Sequence, residues 1–196
     1  MGAQGPGSKS ALMKPSAFTE RAPDNFKANF ETSAGSFVIE VHRDWGPNGA
    51  DRFYNLVRSG FYDGNRFYRV IPLMAVWGLH GDPSVAKAWL SARIPDDPTH
   101  KHSNTRGTVA FFVANKRTTQ TFINLVDNSG TMDIQIAPFG EVVLGMDVVE
   151  KLYAGYGEAK PMGKGPEMNP FYEEGNAYLE REFPKLDYIK KATVLK

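Results

Sequence analysis

The sequence predicts a mainly β fold, an all-β barrel or sandwich of short strands capped by helices. Three observations carry this. Near the start of the folded region, apolar and polar residues alternate with the period of a half-buried strand. Farther on, the apolar runs are short and bounded by turn residues, in a chain with 19 Gly and 13 Pro among 196 residues. Two segments switch to the helical period, so helices accompany the strands without dominating them.

Residues 1–24 are Gly/Ser/Pro-rich and aperiodic, and read as a disordered leader or expression scar outside the fold. In the segment that follows, Phe26, Ala28 and Phe30 alternate with Lys27, Asn29 and Glu31. After an SAG turn, Phe37, Ile39 and Val41 repeat the pattern, which predicts a hairpin. PNGADRFYNLVRSG then places Ala50, Phe53, Leu56 and Val57 on one helical face, with Asn48 as the expected N-cap and Gly60 as the C′ residue. Strands are expected at Phe67–Ile71, Val109–Val113, Thr121–Asn124 and Glu141–Val143. A second helix, with Met146, Val149, Leu152 and Tyr153 inward, closes at Gly155. Residues 155–175 are a Gly/Pro-rich loop, followed by a short helix at Asn176–Phe183 and a closing strand at Tyr188–Leu195. The length fits one domain, over residues 25–196.

Composition excludes several function classes. Without cysteine there is no thiol nucleophile, redox CxxC, disulfide or cysteine-based metal site. A formal net charge of +1 gives no electrostatic footprint for nucleic acid or an anionic membrane surface. No GxSxG, P-loop, GxGxxG or HExxH motif is present. Asp96 and Asp97, bracketed by Pro95 and Pro98, read as a polar turn and not as an acid/base pair. His100 and His102 lack a third ligand nearby, so no metal and no cofactor is expected.

What remains is carried by three ordered blocks. FYDGNRFYRVIP (Phe61–Pro72) resembles the region of cyclophilins that supplies their catalytic arginine. TTQTFIN (Thr118–Asn124) resembles their GSQFFI core strand, and APFGEVVLGMDVVEKL (Ala137–Leu152) their FG-V–GMDVV-K block. Lys185–Val194 resembles the last strand, and LHGDP (Leu79–Pro83) a bacterial subgroup. The resemblance implies a closed eight-stranded antiparallel β-barrel capped by two α-helices, here with an extra C-terminal loop and short helix. It implies a peptidyl-prolyl cis-trans isomerase of protein folding, acting on proline-containing peptides or unfolded client proteins, expected to be a monomer. Arg69 takes the position of the catalytic arginine, Phe122 the pocket floor, Gln120 the pocket glutamine and Met74 the pocket methionine. From the residues alone, Arg69 would be a surface strand arginine and Phe122 a core aromatic.

Such a reaction suits this composition. Rotation about an Xaa-Pro bond breaks nothing, so it needs no nucleophile, metal or tuned acid. An apolar slot for the ring and one donor at the prolyl nitrogen or twisted carbonyl suffice.

The departures from the family pattern all make the groove more apolar. After RVIP the glutamine that steadies the arginine is absent, and Val76 or Trp77 takes its place. Phe112 and Val113 stand where a small Ala and then Asn or Thr bind substrate backbone. Met132 replaces the pocket leucine, Ile136 the histidine, and Thr131 or Gly130 the Trp of cyclosporin-sensitive members. Two readings follow, an isomerase of reduced activity and a non-catalytic cyclophilin-like domain that binds a peptide or partner. A periplasmic or secreted location is favoured over the cytoplasm, since related bacterial chains carry export signals and this one lacks cysteine.

Overall fold

A computed structural model describes residues 8–113 and 117–195. Eight antiparallel strands form one sheet: β1 (Asn25–Thr32), β2 (Ser36–His42), β3 (Arg69–Ile71), β4 (Met74–Trp77), β5 (Thr108–Phe111), β6 (Thr121–Asn124), β7 (Gly140–Leu144) and β8 (Ile189–Val194). Their spatial order is β3-β4-β6-β5-β7-β2-β1-β8. The helices are α1 (Lys9–Leu12), α2 (Pro47–Arg58), α3 (Pro83–Trp89), α4 (Ser129–Met132), α5 (Met146–Glu150), α6 (Met168–Glu174) and α7 (Asn176–Glu182). No helix is long and apolar enough to cross a membrane among the described residues.

The expected closed barrel is corrected to an open, curled sheet. The end strands β3 and β8 do not pair; the residues preceding them meet through one bridge, Arg66 to Tyr188, and through bonds such as Phe67 N to Asp187 O. Closing the ladder needs two edge strands in register along their length, and β3 has only three residues to offer.

The hairpin forms as its pattern demands. Phe26, Ala28, Phe30, Phe37, Ile39 and Val41 are all buried, with Phe30 opposite Phe37 and their rings stacked at 5.1 Å. Helix α2 lays Phe53 and Leu56 on this core and ends at Gly60, whose φ of 70° suits a C′ glycine. Phe61 N then reaches back to Leu56 O and Gly60 N to Val57 O, which closes a Schellman turn. Its start differs from expectation. Gly46 is the N-cap, Pro47 the first helical residue, and Asn48 lies inside. The carboxylate of Asp97 does the capping: Oδ1 accepts from Asn48 N at 2.8 Å and Oδ2 from Gly49 N at 2.9 Å. The polar turn expected at Asp96 and Asp97 thus holds a buried carboxylate, and Arg117 Nη2 donates to Asp97 at 2.6 Å.

Other boundaries shift. Residues 8–24 pack on the domain and do not stand outside it. Leu12 and Ala22 are buried, and Trp89 Nε1 donates to Leu12 O. The first seven residues of the expected leader lie outside the described ones. The second helix is only the short α5, so Tyr153 packs on the Tyr156 ring instead of the barrel core. Helix α6 occupies part of the expected 155–175 loop.

The sheet has two buried faces where β3, β4, β5 and β6 meet. Val70, Ala75, Trp77, Val109, Phe111 and Ile123 point into the core shared with α2. The alternate residues Tyr68, Met74, Val76, Ala110 and Phe122 point the other way, into a second cluster with Phe171, Tyr178, Leu179 and Phe183 from the 155–184 segment. That second face holds the candidate site.

Candidate active site

Arg69 opens β3, and its cross-strand partner on β4 is Val76. The hairpin is tight, with Ile71 directly opposite Met74. Met74 and Val76 share the face of Arg69, whereas Trp77 turns into the core. Of the two positions considered for the missing glutamine, Val76 is the one beside the arginine.

The guanidinium is held on one side. Nε donates to Glu158 Oε1 at 2.5 Å and Nη2 to Glu158 Oε2 at 2.6 Å, a bidentate fork on the carboxylate. Nη1 points to Met74 Sδ at 3.2 Å, a weak acceptor. Phe112, just beyond β5, lies under the guanidinium with 5.5 Å from Cζ to the ring centre. Its ring also meets Phe122 edge-on at 6.3 Å. Phe122 is wholly buried, and Met132 and Ile136 border the same cluster half-buried.

Gln120 precedes β6 and is buried; its Oε1 accepts from Tyr68 Oη at 2.5 Å. Burial pushes the Tyr68 hydroxyl well up, which keeps it a neutral donor. The sequence-predicted residues Arg69, Met74, Phe112, Phe122, Met132 and Ile136 thus converge on one face, and Gln120 joins it through Tyr68. Two participants escaped the sequence reading. Tyr68 lies within the expected strand Phe67–Ile71 with nothing in the pattern to single it out, and Glu158 sits in a Gly/Pro-rich loop whose only signal is an acidic residue in GYGEAKP.

Hydrogen bonding from Arg69 is the main cause that holds the Glu158 carboxyl below the usual carboxylate range, against the opposing push of burial. A depressed carboxylate stabilises the folded arrangement above its unfolded pKa, and this is lost as pH falls through the depressed value. The Arg69 Nε–H resonance is therefore expected to stay put from neutral pH through the ordinary carboxylate range and to move only below it. A shift centred near pH 4.3, the unperturbed Glu value, would contradict the pairing.

Histidines take no part. His102 stacks on Trp45 with ring centres 3.5 Å apart, and His42 stacks on the same Trp45 at 4.3 Å. Among the described residues, no group of three potential metal-ligating side chains forms.

Comparison with known proteins assigns the family. The profile described as cyclophilin type peptidyl-prolyl cis-trans isomerase/CLD matches residues 27–168. The chain belongs to the cyclophilin family. A peptidyl-prolyl cis-trans isomerase of Acinetobacter baylyi is 33% identical over 135 residues, covering 65% of this cyclophilin and 72% of the relative. Peptidyl-prolyl cis-trans isomerase B of Escherichia coli is 32% identical over 133 residues, covering 63% and 81% respectively. A Cryptosporidium parvum cyclophilin crystal structure superposes with a TM-score of 0.63 at 14% identity, over 88% of this chain and 98% of that one, a likeness of fold. A second structure of that protein, determined in the presence of the dipeptide Ala-Pro, gives 0.61 at 15% identity over 87% and 99%. The family match ends at residue 168, at the first residue of α6.

Proposed function

We propose that this cyclophilin catalyses cis-trans isomerisation of Xaa-Pro bonds in peptides and unfolded client proteins, acting as a monomer in the periplasm or outside the cell. One observation carries the reading. Arg69 is fixed on one edge by Glu158 and directs Nη1 across an apolar face formed by Met74, Phe112 and Phe122. The barrier to rotation, about 18–20 kcal/mol, comes from conjugation of the nitrogen lone pair with the carbonyl. As the bond twists, the prolyl nitrogen becomes pyramidal and its lone pair turns into an acceptor. A donor aimed there binds the twisted state better than either planar one, which is what lowers the barrier. Guanidinium suits this role because it is permanently charged and rigid. With the Phe112 ring swung aside, Met74 and Phe122 seat the proline ring, and Met132 and Ile136 border it.

The test is exchange NMR on an Ala-Pro peptide, where catalytic amounts of protein are expected to broaden and merge the cis and trans signals. One observation favours the second reading, binding without turnover: Phe112 lies against Phe122 in the slot, and Phe122 has no exposed surface. Peptide shifts that saturate with unchanged exchange would establish it.

Phe112 also sets a prediction. Its edge contact with Phe122 and its place under Arg69 are worth about 0.5–1.5 and 0.5–1 kcal/mol respectively. A substrate must displace the ring and break both contacts, about 1–2.5 kcal/mol together, so Phe112→Ala is expected to raise kcat/KM for the Ala-Pro peptide roughly five- to seventyfold, mostly through KM. A fall in kcat/KM would show that the ring contacts substrate instead of obstructing it.

A further inference from the structure

We infer that Glu158 is a positioning residue for the isomerisation, fixing the Arg69 guanidinium so that Nη1 is the donor presented to the substrate. This rests on the isomerase reading above. Arg69 sits on an edge strand whose neighbours have little to hold it: Val76 across the ladder and Val70 after it carry no polar side-chain atom. An unrestrained guanidinium turns about several side-chain bonds and offers its donors in many directions. The fork from Glu158 engages Nε and Nη2 together, which fixes the plane and leaves Nη1, among the described residues, with the Met74 thioether.

The loop that delivers this carboxylate is built to hold it. Glu158 Oε1 also accepts from Ala159 N at 2.9 Å. Glu158 O accepts from Gly165 N at 2.8 Å, Ala159 O accepts from Gly163 N at 3.1 Å, and Ala159 bridges to Gly165. Both glycines are demanded by this closeness. A Cβ on Gly163 would stand 2.2 Å from Glu158 O, and one on Gly165 2.8 Å from it. The backbone that carries Glu158 is therefore clasped, and it brings to the site a residue 89 positions beyond Arg69 in sequence.

Substitution at Glu158 separates positioning from its opposite, a carboxylate that quenches the arginine. The comparison is wild type, Glu158→Ala, Glu158→Gln and Gly163→Ala, by exchange NMR on the Ala-Pro peptide and by the Arg69 side-chain N–H resonances. Glu158→Ala is expected to lower kcat about tenfold or more with KM little changed, because misorientation of a catalytic group is costly even when it is still present. Glu158→Gln retains one acceptor and is expected to recover part of that loss. Gly163→Ala keeps the carboxylate but displaces it, and is expected to fall between wild type and Glu158→Ala. In wild type the Arg69 Nη protons should be resolved by restricted rotation, and in Glu158→Ala they should average. Glu158→Ala as active as wild type or faster overturns the inference, as do Arg69 resonances unchanged by the substitution. Failure of wild type itself to accelerate exchange defeats the isomerase reading, and the Arg69 resonances then still decide whether Glu158 orients the guanidinium.

Discussion

Arg69→Ala is expected to lower kcat/KM for an Ala-Pro peptide by about a hundred- to a thousandfold, the loss typical of removing one donor that acts on developing charge in an excluded site. The guanidinium is the only charged donor that the structure places over the Met74–Phe112–Phe122 face among the described residues. The fall should appear in kcat, with KM nearly constant, since the planar substrate offers the prolyl nitrogen little reason to accept a hydrogen bond. Folding should survive. Glu158 loses its partner, but its side chain is 25% exposed, so water takes over part of its solvation and the stability change is about 1–3 kcal/mol, well short of unfolding the domain. Arg69→Lys is the sharper probe, because it keeps the charge and loses the fork. It should retain at most a few per cent of activity, since an ammonium cannot engage both oxygens of Glu158 and still reach the proline. Exchange spectroscopy at matched protein concentration measures both variants. Wild-type rates in Arg69→Ala would remove Arg69 from catalysis.

Legibility of this site in the sequence followed burial. On β1 and β2 one face is core and the other polar, and the alternation Phe26–Phe30 and Phe37–Val41 states the strands directly. On β4 all four residues of MAVW are buried, because the main core lies on one face and the cluster with the 155–184 segment on the other, so no alternation exists to read. Helix α3 was equally silent: it runs only from Pro83 to Trp89, too short to establish a period. Motif spacing recovered what period could not. It placed Arg69, Gln120 and Phe122 together across strands that meet only through pairing of β3, β4 and β6. Glu158 had no such help, because a loop outside the motif blocks carries no register, and only the fold brings it to Arg69. Closure of the sheet came with the family resemblance and not from the residue pattern, which left barrel and sandwich open; whether a three-residue β3 can pair along β8 is not written in motif spacing.

Asp97→Ala should have the largest effect on stability, about 3–5 kcal/mol, through loss of a buried ion pair that also caps a helix. Asp97 has no exposed side-chain surface and Arg117 only 7%, so removing the carboxylate leaves a guanidinium whose remaining partners among the described residues are Pro95 O and the exposed Asp96 carboxylate at 3.7 Å. The same step frees the Asn48 and Gly49 amides, and Gly46, the N-cap, has no side chain to replace it. The turn stays closely packed even without the carboxylate: a Cβ on Gly46 would stand 3.1 Å from Pro138 O, and one on Gly49 3.0 Å from Phe139 Cδ1. Helix α2 carries Phe53 and Leu56 into the main core, so loosening its first turn is felt by the hairpin beneath. For a domain of this size, a loss of that order lowers Tm by roughly 10–15 °C. Asp97→Asn retains an acceptor for the amides but loses the charge, and is expected to fall about midway. Urea unfolding followed by Trp fluorescence measures both. A change under about 1 kcal/mol for Asp97→Ala would mean that water enters to solvate Arg117, and the acidic pair would then be no more than the polar turn that its flanking prolines suggest.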